Sequence, residues 1–442
     1  MQYETLVQKW RAGRDKLLLP MMAEAAPLDL TFVGRTVLHA VLVGLAAGLA
    51  GAAFFGALEY LQRFLLEEGA GYVPLRAHGE TFAAAEGPHT FRPWLLVVLP
   101  ALGGLACGLI TRLAPETRGG GGDAMIDAFH HHGGIIRKRV IWLKPLASLF
   151  TLGTGGAGGR EGPTMQIGGA LGSLVGRVLR VSARERRILL VAGVAAGISA
   201  VFRTPLGAAL LAVEVLYRDG FESDALVPAV LASVMSYSIV ISIFGQSTLL
   251  FHASDFPFIP RQLPLYALLA LACAFLAAVF ASCLHKVPRL FAKLPGPVWL
   301  RPAWGGLLLG AFCTPIIVEV GKRTNLPGQG FGMLGGGYGA VQMAISGADW
   351  LPDGWSAVRL LLMLSVAKLI SSSLTIGSGG SAGDFAPSLA IGGLFGGAFG
   401  RAASLLLDDP SIQPGAFALV GMGVFYGGIA HVPLSALVLV CE

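Results

Sequence analysis

Gly153-Thr154-Gly155-Gly156-Ala157-Gly158-Gly159-Arg160-Glu161-Gly162-Pro163 sets an arginine and a glutamate inside a glycine-rich break between two apolar stretches. The pattern returns 224 residues later as Gly377-Ser378-Gly379-Gly380-Ser381-Ala382-Gly383-Asp384-Phe385-Ala386-Pro387, and both copies read G-x-G-G-x-x-G-x-x-x-P. Residues 153–177 and 377–401 share 11 identities in 25 ungapped positions, including Ile-Gly-Gly after the proline and a closing Gly-Arg. Glycine bias inflates such a score but does not supply the shared Pro, Ile and Arg. The chain is internally duplicated. Gly193 to Glu214 resembles Gly421 to Glu442, with Pro-Leu nine residues before each glutamate and an offset of 228. Upstream, Gly119-Gly120-Gly121-Gly122-Asp123-Ala124 resembles Gly335-Gly336-Gly337-Tyr338-Gly339-Ala340, at an offset of 216.

These offsets rise in chain order, as collinear halves require. The expected organisation is an amphipathic basic segment over 1–34, a first membrane repeat over 35–249, a Phe- and Pro-rich connection over 250–264 and a second membrane repeat over 265–442. After Glu214 the first half runs on through an apolar stretch at 225–249, whereas the second half stops at Glu442. The second repeat is therefore expected to be truncated at its C-terminus.

Of the 442 residues 54% are hydrophobic and only 13% charged, and mean hydropathy is +0.68. A soluble domain carries about 25% charged residues. Apolar runs recur at 36–66, 93–113, 225–249, 265–284, 303–320 and 357–376, each near the roughly 20 residues that cross a hydrocarbon core. The fold class is an all-α polytopic membrane protein, built as two repeats of broken and tilted helices in the lipid bilayer. The formal charge of +6 does not indicate nucleic acid, because the basic residues lie between apolar segments. Five cysteines without C-x-x-C spacing argue against a disulfide framework or a cysteine metal site. No cofactor or metal is expected. Basic residues at 177–187 and 286–301 face the cytoplasm by the positive-inside rule, with the N-terminus. The acidic loop 67–91 (Glu67, Glu68, Glu80, Glu86) suits the outside, and no cleavable signal peptide is recognised.

Irregular backbone inside a membrane is tolerated only where it is buried in protein or lines a cavity. Paired breaks at corresponding places in two halves point to a transport site near the midplane. Pro163 and Pro387 fall where a first helical turn should begin. Helix N-termini offer unpaired N–H groups and a positive dipole end, and glycine lets a ligand approach that backbone. Several such termini converging would hold an anion without a full cationic charge, strongly enough to enter and weakly enough to leave. Glu161 then has two readings. It is either a helix-start acid paired with Arg160, or a carboxylate that competes with the anion for the amides and releases them when protonated.

Gly159-Arg160-Glu161-Gly162-Pro163 matches the G-R-E-G-P signature of the CLC chloride channel and transporter family, and Gly383-Asp384-Phe385-Ala386-Pro387 matches its G-x-F-x-P signature. Pro-Glu-x-x-Gly-Gly at 115–120 resembles the approach to its third anion-binding motif. The resemblance covers about 36–442 and implies two inverted-topology halves, a plasma (inner) membrane location, one anion pathway per subunit and a homodimer. It implies transport of chloride or another monovalent anion, with protons as the exchanged partner or with passive conduction as the alternative. Glu161 resembles the gating glutamate, and Gly120, Gly121, Arg160, Gly162, Asp384, Phe385 and Ala386 fall on the anion-binding motifs. Lys144 and Glu214 are candidates for pathway electrostatics. Lys144 alternatively snorkels to the interface, and Glu214 alternatively caps a broken helix. Asp384 either pairs with Arg160 or is a second protonatable group.

Three positions depart from the family pattern. Gly120 stands where a coordinating serine is usual, and Val215 aligns with the proton-relaying glutamate of many exchangers. The tyrosine of the family's last helix would lie beyond Glu442. Two other readings fail on the residues. His130-His131-His132 point in different directions and suit a polar loop better than a metal. The glycine run lacks the G-K-S/T of a nucleotide loop. A membrane enzyme using Glu161 as an acid would want a second catalytic group beside it, and none stands out.

Overall fold

The computed structural model describes residues 30–80, 90–217, 222–245, 250, 256–257 and 259–442. The 1–34 segment, apart from its last few residues, and Glu86 lie outside them. Among the described residues every regular element is helical. The first half runs α1 (Leu30–Gln62), α2 (Leu95–Leu113), α3 (Gly122–His130), α4 (Val140–Gly153), α5 (Glu161–Val178), α6 (Ala183–Phe202), α7 (Pro205–Glu214) and α8 (Ser223–Phe244). The second half repeats the order from α9 (Leu263–Ala292) through α10 (Arg301–Arg323), α11 (Tyr338–Ser346), α12 (Gly354–Gly377), α13 (Phe385–Leu407) and α14 (Pro414–Ala430) to α15 (Pro433–Cys441). The offsets read from the sequence therefore join α3 to α11, α5 to α13 and α7 to α15.

Seven of the described helical segments are long and apolar enough to cross a membrane. Six correspond to the apolar runs. The seventh, α13, was hidden by its glycines. At 33 residues α1 is about 50 Å long, more than a hydrocarbon core requires. The basic stretch at 286–301 is not a loop at its start, because α9 carries Lys286 and Arg289 on its last turns. Apolar side chains on that helix remain exposed, Leu271 at 71% and Phe275 at 74%, as a hydrocarbon-facing helix requires. At the other extreme, α6 buries every residue from Ile188 to Phe202. A helix apolar on all sides belongs at the centre.

Glycines let the central helices approach closely. A Cβ on Gly168 of α5 would stand 2.0 Å from the carbonyl oxygen of Gly193 on α6. A Cβ on Gly392 of α13 would stand 2.4 Å from the carbonyl of Gly421 on α14. These contacts are equivalent under the repeat. Small residues at such crossings replace the hydrophobic drive that lipid does not supply.

The halves are also stitched by exchange. Glu214 at the end of α7 accepts from the N–H groups of Leu434 (3.2 Å) and Ser435 (2.8 Å) and from the Ser435 hydroxyl at the start of α15. Glu442 returns the contact, accepting from Leu206 (3.1 Å) and Gly207 (2.7 Å) at the start of α7. Each short helix is N-capped by the other half. Gly168→Ala is expected to lower stability by about 1–3 kcal/mol, the usual cost of overpacking. Thermal unfolding in detergent measures it, and an unchanged melting temperature would contradict the packing described.

Candidate functional site

The two glycine breaks meet backbone to backbone. Gly159 N–H donates to the Gly383 carbonyl at 2.7 Å, and Gly383 N–H donates to the Gly159 carbonyl at 2.8 Å. On either side the threonines of the preceding helices cross over. Thr375 Oγ1 accepts from Ala157 N–H at 3.0 Å, and Thr151 Oγ1 accepts from Ser381 N–H at 3.2 Å. The junction thus places the first turns of α5 and α13 side by side. Pro163 and Pro387 fall within those turns, where a missing N–H costs nothing.

Two buried lysines hold the loops that aim the other pair of helix starts. Lys144 Nζ donates to the Gly119 carbonyl at 2.6 Å and the Thr117 carbonyl at 3.1 Å, just before α3. Lys368 Nζ donates to the Gly335 carbonyl at 2.6 Å, just before α11. Both lysines are fully buried, so Lys144 does not snorkel. Its repeat mate Lys368 was not picked out from the sequence, although 144 and 368 differ by the same 224 as the motifs. The N-caps of α3 and α11, Gly121 (φ +92°) and Gly337 (φ +95°), are both left-handed, a conformation glycine adopts without strain.

Glu161 is the first residue of α5 and is 2% exposed. Its Oε1 accepts a hydrogen bond from the Tyr338 hydroxyl, on the first residue of α11. Its Oε2 is buried without a hydrogen-bond partner among the described residues. Arg160 is not its main partner, since the guanidinium Nε is 3.9 Å from Oε1. Instead Arg160 meets Glu59 at 3.3 Å and Glu80 at 3.2 Å, and lies over the Phe55 ring at 4.5 Å. Arg76 ties Glu59 (3.2 Å) to Glu67 (2.5 Å). The acidic loop expected outside is thus partly a buried ion-pair cluster packed over the site. Glu59, Glu80 and Tyr338 could not be read from the sequence because their partners lie 80 to 177 positions away.

One cavity opens at Glu161 itself and another beside its neighbours Arg160 and Tyr338. One, of about 50 Å³, is lined by Glu59, Arg76, Glu80, Arg160, Tyr338 and the glycines before α11. The other, of about 280 Å³, is lined by Gly120, Asp123, Glu161, Gly162, Val215, Asp384, Phe385 and Tyr426. Of the expected anion-binding positions, Gly120, Gly162, Asp384 and Phe385 come together here. Arg160 faces the opposite cavity, Gly121 is a cap packed on Gln166, and Ala386 packs on Gly159. Asp384 forms no ion pair with Arg160. Tyr426 was also missed. It packs edge-on against Phe385, which meets Phe202, so an aromatic series runs from Tyr426 to Tyr338 behind the gap.

The remaining candidates fall elsewhere. His131 and His132 both reach Asp127, and His130 Nε2 lies 2.8 Å from the Leu216 carbonyl. His131 follows the end of α3, so the first histidine is helical and not part of a loop. His431 and Arg203, equivalent in the repeat, are both left-handed C-caps.

Residues 102–442 match the family model described as voltage gated chloride channel. The H(+)/Cl(-) exchange transporters ClcA of Salmonella agona (strain SL483) and Salmonella typhimurium (strain LT2) are each 30% identical over 433 residues, covering 97% of this chain and 84% of theirs. Among solved structures, a slow cyanobacterial Cl-/H+ antiporter superposes with a TM-score of 0.75 at 24% identity, over 92% of this chain and 88% of that one. A CLC-type fluoride/proton antiporter gives 0.72 at 22% identity, over 95% and 92%.

Truncating Glu214 to Ala leaves two amides and a hydroxyl uncapped, and stability should fall by about 1–3 kcal/mol. Glu442→Ala should behave alike. Thermal unfolding of the two variants tests this, and a neutral Glu214→Ala would leave the carboxylate without its capping role.

Proposed function

The chain belongs to the voltage-gated chloride channel family, and on that premise we propose that it exchanges chloride, or a similar monovalent anion, for protons, with Glu161 as the gate. It is a multi-pass membrane transporter and not an enzyme. The observation that carries the reading is the position of Glu161, a buried carboxylate that lines the larger cavity, is held by the Tyr338 hydroxyl at the edge of the smaller one, and stands among the helix starts.

A carboxylate is itself an anion. Ionised, it takes the amide-lined gap that the substrate needs, and the Tyr338 O–H and the N-terminal dipoles favour that state. Protonated, it loses most of that attraction, so the side chain leaves and the anion binds. The anion's partners in this reading are the amides around Gly162, Asp384 and Phe385, with backbone alone at Gly120. Arg160 and Lys144 contribute positive potential and no direct ligand. Glu214 serves as a cap and takes no part in the pathway. The cavity beside Arg160 opens outward and the one beside Asp384 inward, with the N-terminus cytoplasmic. The inner membrane of a bacterial-type cell, direct contact with lipid and a homodimer complete the proposal.

One observation favours passive conduction as the second reading. Val215 brings no carboxylate to the larger cavity, where many exchangers carry one.

In chloride-loaded liposomes a proton gradient should drive uphill chloride movement, whereas a reversal potential indifferent to pH would indicate a channel. Glu161→Gln should abolish proton movement and keep anion flux, and retained coupling would remove Glu161 from the mechanism. Tyr338→Phe deletes a hydrogen bond to a charged group worth about 1.5–3 kcal/mol. Each 1.4 kcal/mol is roughly tenfold in an equilibrium. Anion turnover measured as vesicle efflux should therefore rise by about tenfold to a hundredfold where gate opening limits it, and a slower variant would assign Tyr338 a different part.

A further inference from the structure

The larger cavity sets a charge problem. Asp123 on α3, Glu161 on α5 and Asp384 beside α13 all line it, Tyr426 adds a phenol from α14, and Val215, Leu211 and Ile198 complete it with apolar surface. No lysine, arginine or histidine is among the lining residues. Three ionised carboxylates in a chamber walled by protein would repel the anion that has to pass.

Asp384, part-buried, has neither of the usual partners of a carboxylate inside a protein. It stands at the N-cap of α13 without making a side-chain cap bond, and no ion pair engages it among the described residues. A second observation concerns Glu161, which lines the same cavity. Oε2 of Glu161, a residue 2% exposed, has no hydrogen-bond partner among the described residues, while Oε1 is already taken by Tyr338. The Gly159–Gly383 pairing brings the two first turns together, so both carboxyls border one cavity.

We propose that Asp384 is a second proton carrier of the transport cycle, passing to Glu161 the proton that Val215 cannot. The assignment rests on the exchange reading above. The O–H bond of a protonated Asp384 breaks and a new one forms on Glu161 Oε2, directly or across one water. The resulting Asp384 carboxylate is reprotonated from solvent by way of Asp123, which is exposed at the cavity. Tyr426 is no substitute source, because a phenol's ordinary pKa is about 10. A neutral Asp384 also removes one of the three charges and offers the anion an O–H donor in the chamber where Gly120 has no side chain.

The test uses the full-length protein in chloride-loaded liposomes, with chloride and proton fluxes recorded on the same vesicles. Asp384→Asn keeps the shape and removes the titration. Whatever the chloride rate, protons moved per chloride should fall by at least about tenfold, as for loss of a positioned proton-transfer group, and Asp384→Glu should restore the ratio. A proton-to-chloride ratio equal to wild type in Asp384→Asn overturns the assignment. Should Asn stall both fluxes, the same two readings are taken from Asp384→Ala. A wild-type protein that moves chloride without protons would instead defeat the exchange reading, and this assignment with it.

Discussion

Everything in the site depends on a pair of peptide groups, Gly159 and Gly383, bonded to each other antiparallel across the pseudo-twofold. Broken helices leave peptide groups that lipid cannot satisfy, at a cost of several kcal/mol each. Here the breaks satisfy one another. The closeness excludes side chains, since a Cβ on Gly383 would lie 2.9 Å from the Gly162 nitrogen and one on Gly162 would lie 2.7 Å from the Gly120 carbonyl. The glycines of the motif are thus the condition for two helix starts to share one place. The crossed threonines, Thr151 to Ser381 and Thr375 to Ala157, lock the register of that junction.

With the junction fixed, electrostatics decides what the gap can hold. Carbonyl groups beside an anion are repulsive, and the loops before α3 and α11 are rich in them. Lys144 and Lys368 draw the carbonyls of Gly119 and Gly335 onto buried ammonium groups, and the glycines that follow each line the cavities. Arg160, the nearest full cation, is committed to Glu59, Glu80 and the Phe55 ring. A site that has to release its ion is better served by partial charges than by a bare guanidinium.

The repeat, the helical class and the place of Glu161 were legible in the sequence because glycine, proline and charge recur there at fixed offsets. What needed coordinates was whatever a long loop closure brings in. Tyr338 looks like one unremarkable residue after a glycine run, yet its hydroxyl is the partner of Glu161. Glu59 sits midway along an apolar helix and Glu80 in a loop, and no periodicity links either to Arg160. Lys368 is different, because the 224-residue offset from Lys144 was available and would have found it. For Glu214 the sequence left pathway and cap side by side, and only its bonds to Leu434 and Ser435 separate them. The amphipathic reading of 1–34 falls almost wholly outside the described residues.

The same offset exposes an asymmetry within the symmetric frame. Under it Arg160 is the counterpart of Asp384, and Glu161 the counterpart of Phe385. A pseudo-twofold lying in the membrane plane sends equivalent residues to opposite faces, and the two cavities differ accordingly: arginines with glutamates on one side, aspartates without a cation on the other. Two identical halves would build a gate with no preferred direction of control and with a carboxylate at both helix starts. Phe385 in place of a second glutamate leaves Glu161 without a counterpart, so in the proposed function a single glutamate moves. The pairing of backbone groups is therefore kept in both halves, while the side chains at the two helix starts have diverged to give that acid a different neighbour on each side. Coupling requires that difference, because a proton carried by one carboxyl can be exchanged for an ion only if the two sides of the gap present it with different partners.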